Sequence, residues 1–355
     1  MELAEFLVGM LVVLLVLFDL LQTVVLPRPT PSTFRPGGKL LTVLYMLTRR
    51  VALQLPKRRE QLLGMFAPYS AVALLFYWAA GLVLGYGLIL YALRAQIRPP
   101  MHLGTAFYFS AVSLLTVGFG DVIPAGGLAR LVVVFEAATG LSLFALIITF
   151  LFSLFGEFQR REVLVITLSA RAGAPPSGLT LLQAYASDRM LEGLSGLFAD
   201  WERWSAQVLE SHLSYPILAF FRSTHDNQSW VSALGAMLDA ATLVLTTVED
   251  VPRGPARGMR NVGVHLVEDL AQYFHLDGQR DIYVEREEFD EAHGQLRLAG
   301  FQVGDAEPAW EAFSQQRAEY AGALNAMARQ WLTPPAQWIG DRSVVARHRG
   351  PVVRR

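Results

Sequence analysis

"LLTVGFGDVIP", Leu114 to Pro124, sets two glycines one residue apart among β-branched and aromatic side chains, with an aspartate directly after them. Glycine takes positive φ without steric cost, so this alternation asks for a backbone that regular helices and strands do not use. What it means depends on the solvent around it. Of the 355 residues 53% are hydrophobic and only 17% charged, with a mean hydropathy of +0.34. A soluble domain carries about 25% charged residues, so part of this chain belongs in a bilayer. The apolar content is concentrated before Phe158 and most acidic residues follow it, which predicts a membrane half and then a soluble half.

Crossing the hydrocarbon takes about 20 apolar residues in a helix. Residues 3–26, 67–93 and 128–155 qualify. The first follows acidic residues and has no small-residue cleavage site after it, so it reads as an uncleaved span. Between the first and second spans lie Arg28, Arg35, Lys39, Arg49, Arg50, Lys57, Arg58 and Arg59, against Arg94 and Arg98 alone after the second. The positive-inside tendency makes that loop cytoplasmic, leaving the N-terminus outside and the C-terminal half inside the cell membrane. Within the loop, Leu40, Leu41, Val43, Leu44, Leu47 and Val51 recur at helical spacing, as in an amphipathic helix lying on the inner surface.

About 30 residues separate the second and third spans, and 104–115, "GTAFYFSAVSLL", is apolar but too short to cross. It reads as a re-entrant helix, with the glycine motif at its C-terminal end inside the membrane. Irregular backbone at that depth is tolerated where it is buried in protein or lines a watery path.

Thr116, Val117, Gly118, Phe119, Gly120 and Asp121 resemble the selectivity filter of potassium channels, and the similarity extends over the outer helix, pore helix, filter and inner helix, roughly 67–155. That resemblance implies an all-α membrane protein whose backbone carbonyls at Thr116, Val117, Gly118 and Phe119, with the Thr116 hydroxyl, replace the hydration shell of potassium ions. Gly120 and Asp121 would support the filter, with Val117 and Phe119 wedged against the pore helix and Asp121 behind the outer mouth. One strand cannot encircle an ion, so four copies are needed and the working unit is expected to be a homotetramer. Gly140, twenty residues after Gly120, stands where the family commonly has an inner-helix hinge; close helix packing is the other reading. Glu136, one turn earlier, is an ionisable residue inside a span, suited either to the inner mouth or to packing behind the pore helix near Ser110 or Ser113. Asp19 in the first span would pair with Arg49 or Arg50. Leu115 and Val112 depart from the family, standing where many members have threonine and some have glutamate. No span carries arginine at every third position, so a voltage sensor of the familiar kind is not expected.

The expected organisation is a span at 1–26, a basic loop at 27–66, a pore domain at 67–157, a mainly helical cytoplasmic domain at 158–345 and a basic tail at 346–355 able to touch anionic lipid. "EVLVITLSA", 162–170, reads as a short strand and "GAPPSG" as a linker. The apolar run 231–248 carries Asp239 at its middle and reads as a buried helix, not a fourth span. No dinucleotide-binding glycine motif, phosphate loop or catalytic constellation follows Phe158, so neither an enzyme nor a cofactor is expected; the permeant ion would be K+. His265, Glu268, Asp269 and His275 do not share one helix face and read as a solvated surface rather than a metal site. With no cysteine there is no disulfide or thiolate site, and a net charge of −1 gives no reason to expect nucleic acid. The alternatives are a weakly selective cation channel or a membrane-anchored receptor whose cytoplasmic domain does the main work. A gating ligand cannot be read from the sequence.

Overall fold

The computed structural model describes residues 2–24, 36–225, 227–276 and 285–333. The basic tail and the loop arginines Arg28 and Arg35 lie outside them. Among the described residues the chain is α-helical apart from a two-residue antiparallel ladder and one isolated bridge. Three helices among the described residues are long and apolar enough to cross a membrane. The chain divides into two compact units, 1–156 and 157–355.

In the first unit α1 (Glu2–Val24) lies along α3 (Arg59–Ala92). The seam is made by small residues: a Cβ on Gly9 would stand 2.6 Å from the Gly85 carbonyl, and one on Gly81 2.7 Å from Val16. Without a hydrophobic drive between helices in lipid, such close backbone approach supplies the packing energy. Helix α2 (Pro36–Gln54) packs on α3 through an edge-to-face contact of Tyr45 with Phe66 at 5.2 Å, and leaves Val43, Met46 and Leu47 exposed.

Asp19 does not pair with Arg49 or Arg50. Its carboxylate accepts from the Gly37 backbone N–H at 3.2 Å and from Trp78 Nε1 at 2.9 Å. It thereby caps the first turn of α2, where free N–H groups and the positive end of the helix dipole favour an anion. One buried carboxylate joins α1, α2 and α3.

Helix α4 (Leu103–Leu114) is short and packs against α3, where Phe107 fills the space a Cβ on Gly87 would take. The strands β1 (Ile97–Arg98) and β2 (Ile123–Pro124) pair on either side of it. Beside them Gln96 accepts from the N–H groups of Ala125 and Gly126 with its carbonyl and from that of Ala129 with its side chain. This ties the start of α5 (Gly127–Ala172) to the end of α3.

Residues 162–170 are helical, as the last part of α5, and not the expected strand. Val163, Val165, Ile166 and Thr167 favour β structure locally. A helix already running adds each residue without paying nucleation again, and Val165, Leu168 and Ala172 bury one face. Both α3 and α5 outrun the apolar stretches within them, because a helix satisfies its own backbone in water as well as in lipid.

The second unit holds α6 (Gly178–Ser187), α7 (Leu194–Ser214), α8 (Trp230–Thr246), α9 (Arg253–Tyr273), α10 (Arg286–Ala299), α11 (Ala306–Ala318) and α12 (Ala321–Trp331). Helix α8 is its centre, with every residue from Trp230 to Val244 buried. Ser229 caps it, accepting from the Val231 N–H. Asp239 at its middle accepts from Arg317 Nε at 3.1 Å and Tyr320 Oη at 2.8 Å. Burial pushes the Asp239 carboxyl upward and the cation of Arg317 opposes that shift. An apolar helix of 17 residues therefore carries a carboxyl group in a protein core with partners at hand.

Arg161 of α5 is also buried in this unit. It donates to the carbonyls of Leu218 at 2.9 Å and Phe221 at 2.7 Å, faces His212 Nε2 at 3.2 Å, and pairs with Glu162. Trp204 Nε1 donates to its carbonyl. Burial first, and the Arg161 charge second, hold the His212 imidazole well below its ordinary range.

Candidate functional site

The site is built where α4 ends. Its last turn does not stop cleanly: Thr116 N–H donates to the Ser113 carbonyl at 3.0 Å, and Val117 N–H to the Val112 carbonyl at 2.9 Å. These bonds fasten the start of the irregular segment to the pore helix, using carbonyls that a helix C-terminus leaves without internal partners. Beyond them the backbone alternates. Thr116, Gly118 and Gly120 have φ of 54°, 62° and 79°, while the residues between them stay in the ordinary negative range.

That alternation has a direct geometric effect. Successive carbonyls of an ordinary strand point to opposite sides; reversing the sign of φ at every second residue turns them toward one side. A Cβ on Gly118 or Gly120 would meet nothing within 4 Å, so glycine is required there by conformation and not by space. Thr116 is the exception, a β-branched residue held in the left-handed region. Such strain is kept where surrounding structure fixes it, here the two hydrogen bonds to α4. Sequence reasoning assigned positive φ to the glycines alone and missed it, since threonine gives no sign of it.

The side chains do not lie as expected. Val117 and Phe119 are exposed, Phe119 by 70%, and do not wedge against the pore helix of their own chain. The hydrogen bonds to α4 end at Val117, and Phe119 stands beyond the turn they tie down. The Asp121 carboxylate is hydrogen-bonded by Tyr108, a pore-helix residue that sequence reasoning also passed over. The signal was available: Tyr108 lies one turn before Val112, the residue whose carbonyl the segment's Val117 N–H reaches.

Behind the pore helix, Glu136 is fully buried and hydrogen-bonded to Ser110, whose hydroxyl also faces the Val83 carbonyl at 3.1 Å. One turn on, a Cβ on Gly140 would stand 1.9 Å from the Leu114 carbonyl. Gly140 is thus the point where the inner helix touches the end of the pore helix, within a helix that runs unbroken on either side of it. Tyr86 and Thr139 share a hydrogen bond of 2.9 Å between α3 and α5. These contacts make α3, α4 and α5 one frame around the irregular segment. Among the described residues no group of three or more metal-ligating side chains forms; His265 and Asp269 face each other at 3.5 Å on an exposed turn of α9.

The comparison with known proteins falls on this frame. Residues 78–157 match the family model described as ion channel. The chain is 25% identical over 189 residues to an uncharacterized membrane protein, YdjJ, of Bacillus subtilis (strain 168). That match covers 52% of this chain and 54% of the relative, so the chain spans about half the length of the curated relative it matches. No solved structure matches. With a long apolar helix, a short helix, an irregular segment and a second long apolar helix in that order, residues 78–157 have the arrangement of the ion channel domain whose family model they match, in an all-α membrane protein.

Proposed function

We propose that the chain is a potassium-selective channel that works as a homotetramer and conducts passively. The observation that carries this reading is the alternating positive φ at Thr116, Gly118 and Gly120. It gives the carbonyls of Thr116, Val117, Gly118 and Phe119 one common direction, as ion coordination requires, and four chains around an axis turn that row into rings. The exposed side chains of Val117 and Phe119 are then covered by neighbouring subunits. Asp121, held by Tyr108, and Gly120 support the outer end.

The charge pattern supports an N-terminus outside and the second unit in the cytoplasm. Helix α2, with its exposed Val43, Met46 and Leu47 and the basic Arg49 and Arg50, then lies at the inner surface against anionic lipid. The second unit regulates the pore through α5, with Gly140 as the point of bending.

The test is flux from liposomes holding the purified full chain under potassium and sodium gradients. Potassium flux well above sodium flux is expected. A permeability ratio near one identifies a weakly selective cation channel instead, and no flux of either ion, even from chains truncated near Phe158, counts for a receptor.

A further inference from the structure

On helix α5 the exposed side chains recur at a fixed period. Phe152, Phe155 and Gln159 are followed eleven residues later by Val163, Ile166 and Ala170, and all six are exposed. Phe152 is 77% exposed, Val163 62% and Ile166 41%. The same steps of three, four and four run back to Leu141. Eleven residues in three turns is about 3.67 residues per turn, so this stripe stays on one side of a helix instead of winding around it.

The opposite side of the later turns is occupied: Arg161, Val165, Leu168 and Ala172 are buried in the second unit. Val163 and Ile166 therefore present an apolar edge to water beyond the stretch suited to hydrocarbon. The stripe carries no charge, and Gln159 is its one polar member.

We infer that this stripe is the seam on which α5 packs against the α5 helices of three further copies, extending the assembly of the pore below the membrane as a four-helix bundle. This rests on the tetrameric reading above, which brings four inner helices around one axis. A stripe continuous with the inner helix then meets its own copies. An eleven-residue repeat gives a right-handed supercoil, and a single polar residue in an apolar seam sets register. Val163 and Ile166 are buried by the neighbouring chains, and the bundle holds the cytoplasmic ends of the inner helices together.

The chain has no cysteine, so a single introduced cysteine can only bond to another copy. Disulfide formation needs Cβ atoms about 3.5–4.5 Å apart, which seam positions on adjacent helices reach and outward positions do not. Full-length Val163→Cys, Ile166→Cys and Arg160→Cys are each oxidised mildly in liposomes and run on a non-reducing gel. Arg160 is an exposed position of the same helix, off the stripe. The inference expects Val163→Cys and Ile166→Cys to shift from the mass of one chain to that of two, and Arg160→Cys to stay at one. Equal shifts at all three positions, or none, overturn it. Particle mass and potassium flux are read on the same samples. A four-chain particle that conducts potassium without stripe-specific bonding removes the bundle and leaves the channel reading standing; a one-chain particle removes both.

Discussion

The sharpest test of the filter geometry is chirality at residue 118. Gly118 has φ of 62°, and a Cβ placed there meets nothing within 4 Å. L-alanine at this position therefore brings no clash, only the cost of the left-handed region, about 1–2 kcal/mol per residue. Across a ring of four chains that is about 4–8 kcal/mol, enough to favour a filter whose carbonyls have turned away from the axis. D-alanine adds the same atoms but prefers positive φ, so its cost at this position is close to zero. Semisynthetic chains carrying glycine, L-alanine or D-alanine at 118 can be compared in liposomes for potassium against sodium flux, with particle mass as a check on assembly. The expected order is full selectivity for glycine and D-alanine and its loss for L-alanine, all three assembling alike. If the two alanines behave identically, whether both conduct or both fail, positive φ at 118 is not what the site needs.

Three further outcomes follow from buried polar contacts. Asp19→Ala leaves the Trp78 and Gly37 N–H groups without their acceptor, at about 1–3 kcal/mol for each; Asp19→Asn keeps one oxygen and loses less, and equal melting temperatures for the two variants in detergent would contradict the capping role. Removing only the cation of the buried Asp239 and Arg317 pair, as in Arg317→Met, should destabilise the second unit by about 3–5 kcal/mol. Replacing both members with apolar residues should cost much less, and equal losses in urea melts of single and double variants would refute that. His212 is held neutral when folded, facing the Arg161 cation of α5 with Glu162 beside it. Below about pH 6.5 the unfolded chain takes up a proton there that the folded chain refuses, so stability falls as pH drops, by up to about 1.4 kcal/mol per pH unit. His212→Gln keeps an acceptor for Arg161 and removes that titration; an unchanged loss of stability between about pH 7.5 and about pH 5.5 in the variant would assign the effect elsewhere.

The all-α membrane class was legible because each span is a local property: about 20 apolar residues in a row need no knowledge of what they touch. The glycine motif was legible for the same reason, its residues being adjacent. What escaped depends on distant partners or on a helix already under way. The Asp19 carboxylate was expected to seek an arginine, yet the N–H groups at the start of α2 and the Trp78 indole serve it as well. The β-branched run at 162–170 looked like a strand only when cut from the helix that leads into it. Gly140 was read as a hinge with close helix packing as the other reading, and that its close neighbour is the Leu114 carbonyl could not be foreseen because it depends on the angle between two helices.

The Asp19 contact also bears on how the chain is made. Synthesis releases α1 first, and Asp19 enters the membrane before either of its partners exists. A carboxylate at the centre of a span costs about 2.5–3.5 kcal/mol on insertion scales and less near an end, where Asp19 lies. The remainder of α1 is apolar enough to carry it. The Gly37 N–H, 18 residues on, brings the first relief, and the rest comes when Trp78, 59 residues later in the chain, has entered with α3. Until then one of the two contacts of the Asp19 carboxylate is unmade, so the packing of α1 is completed only by a helix synthesised long after it.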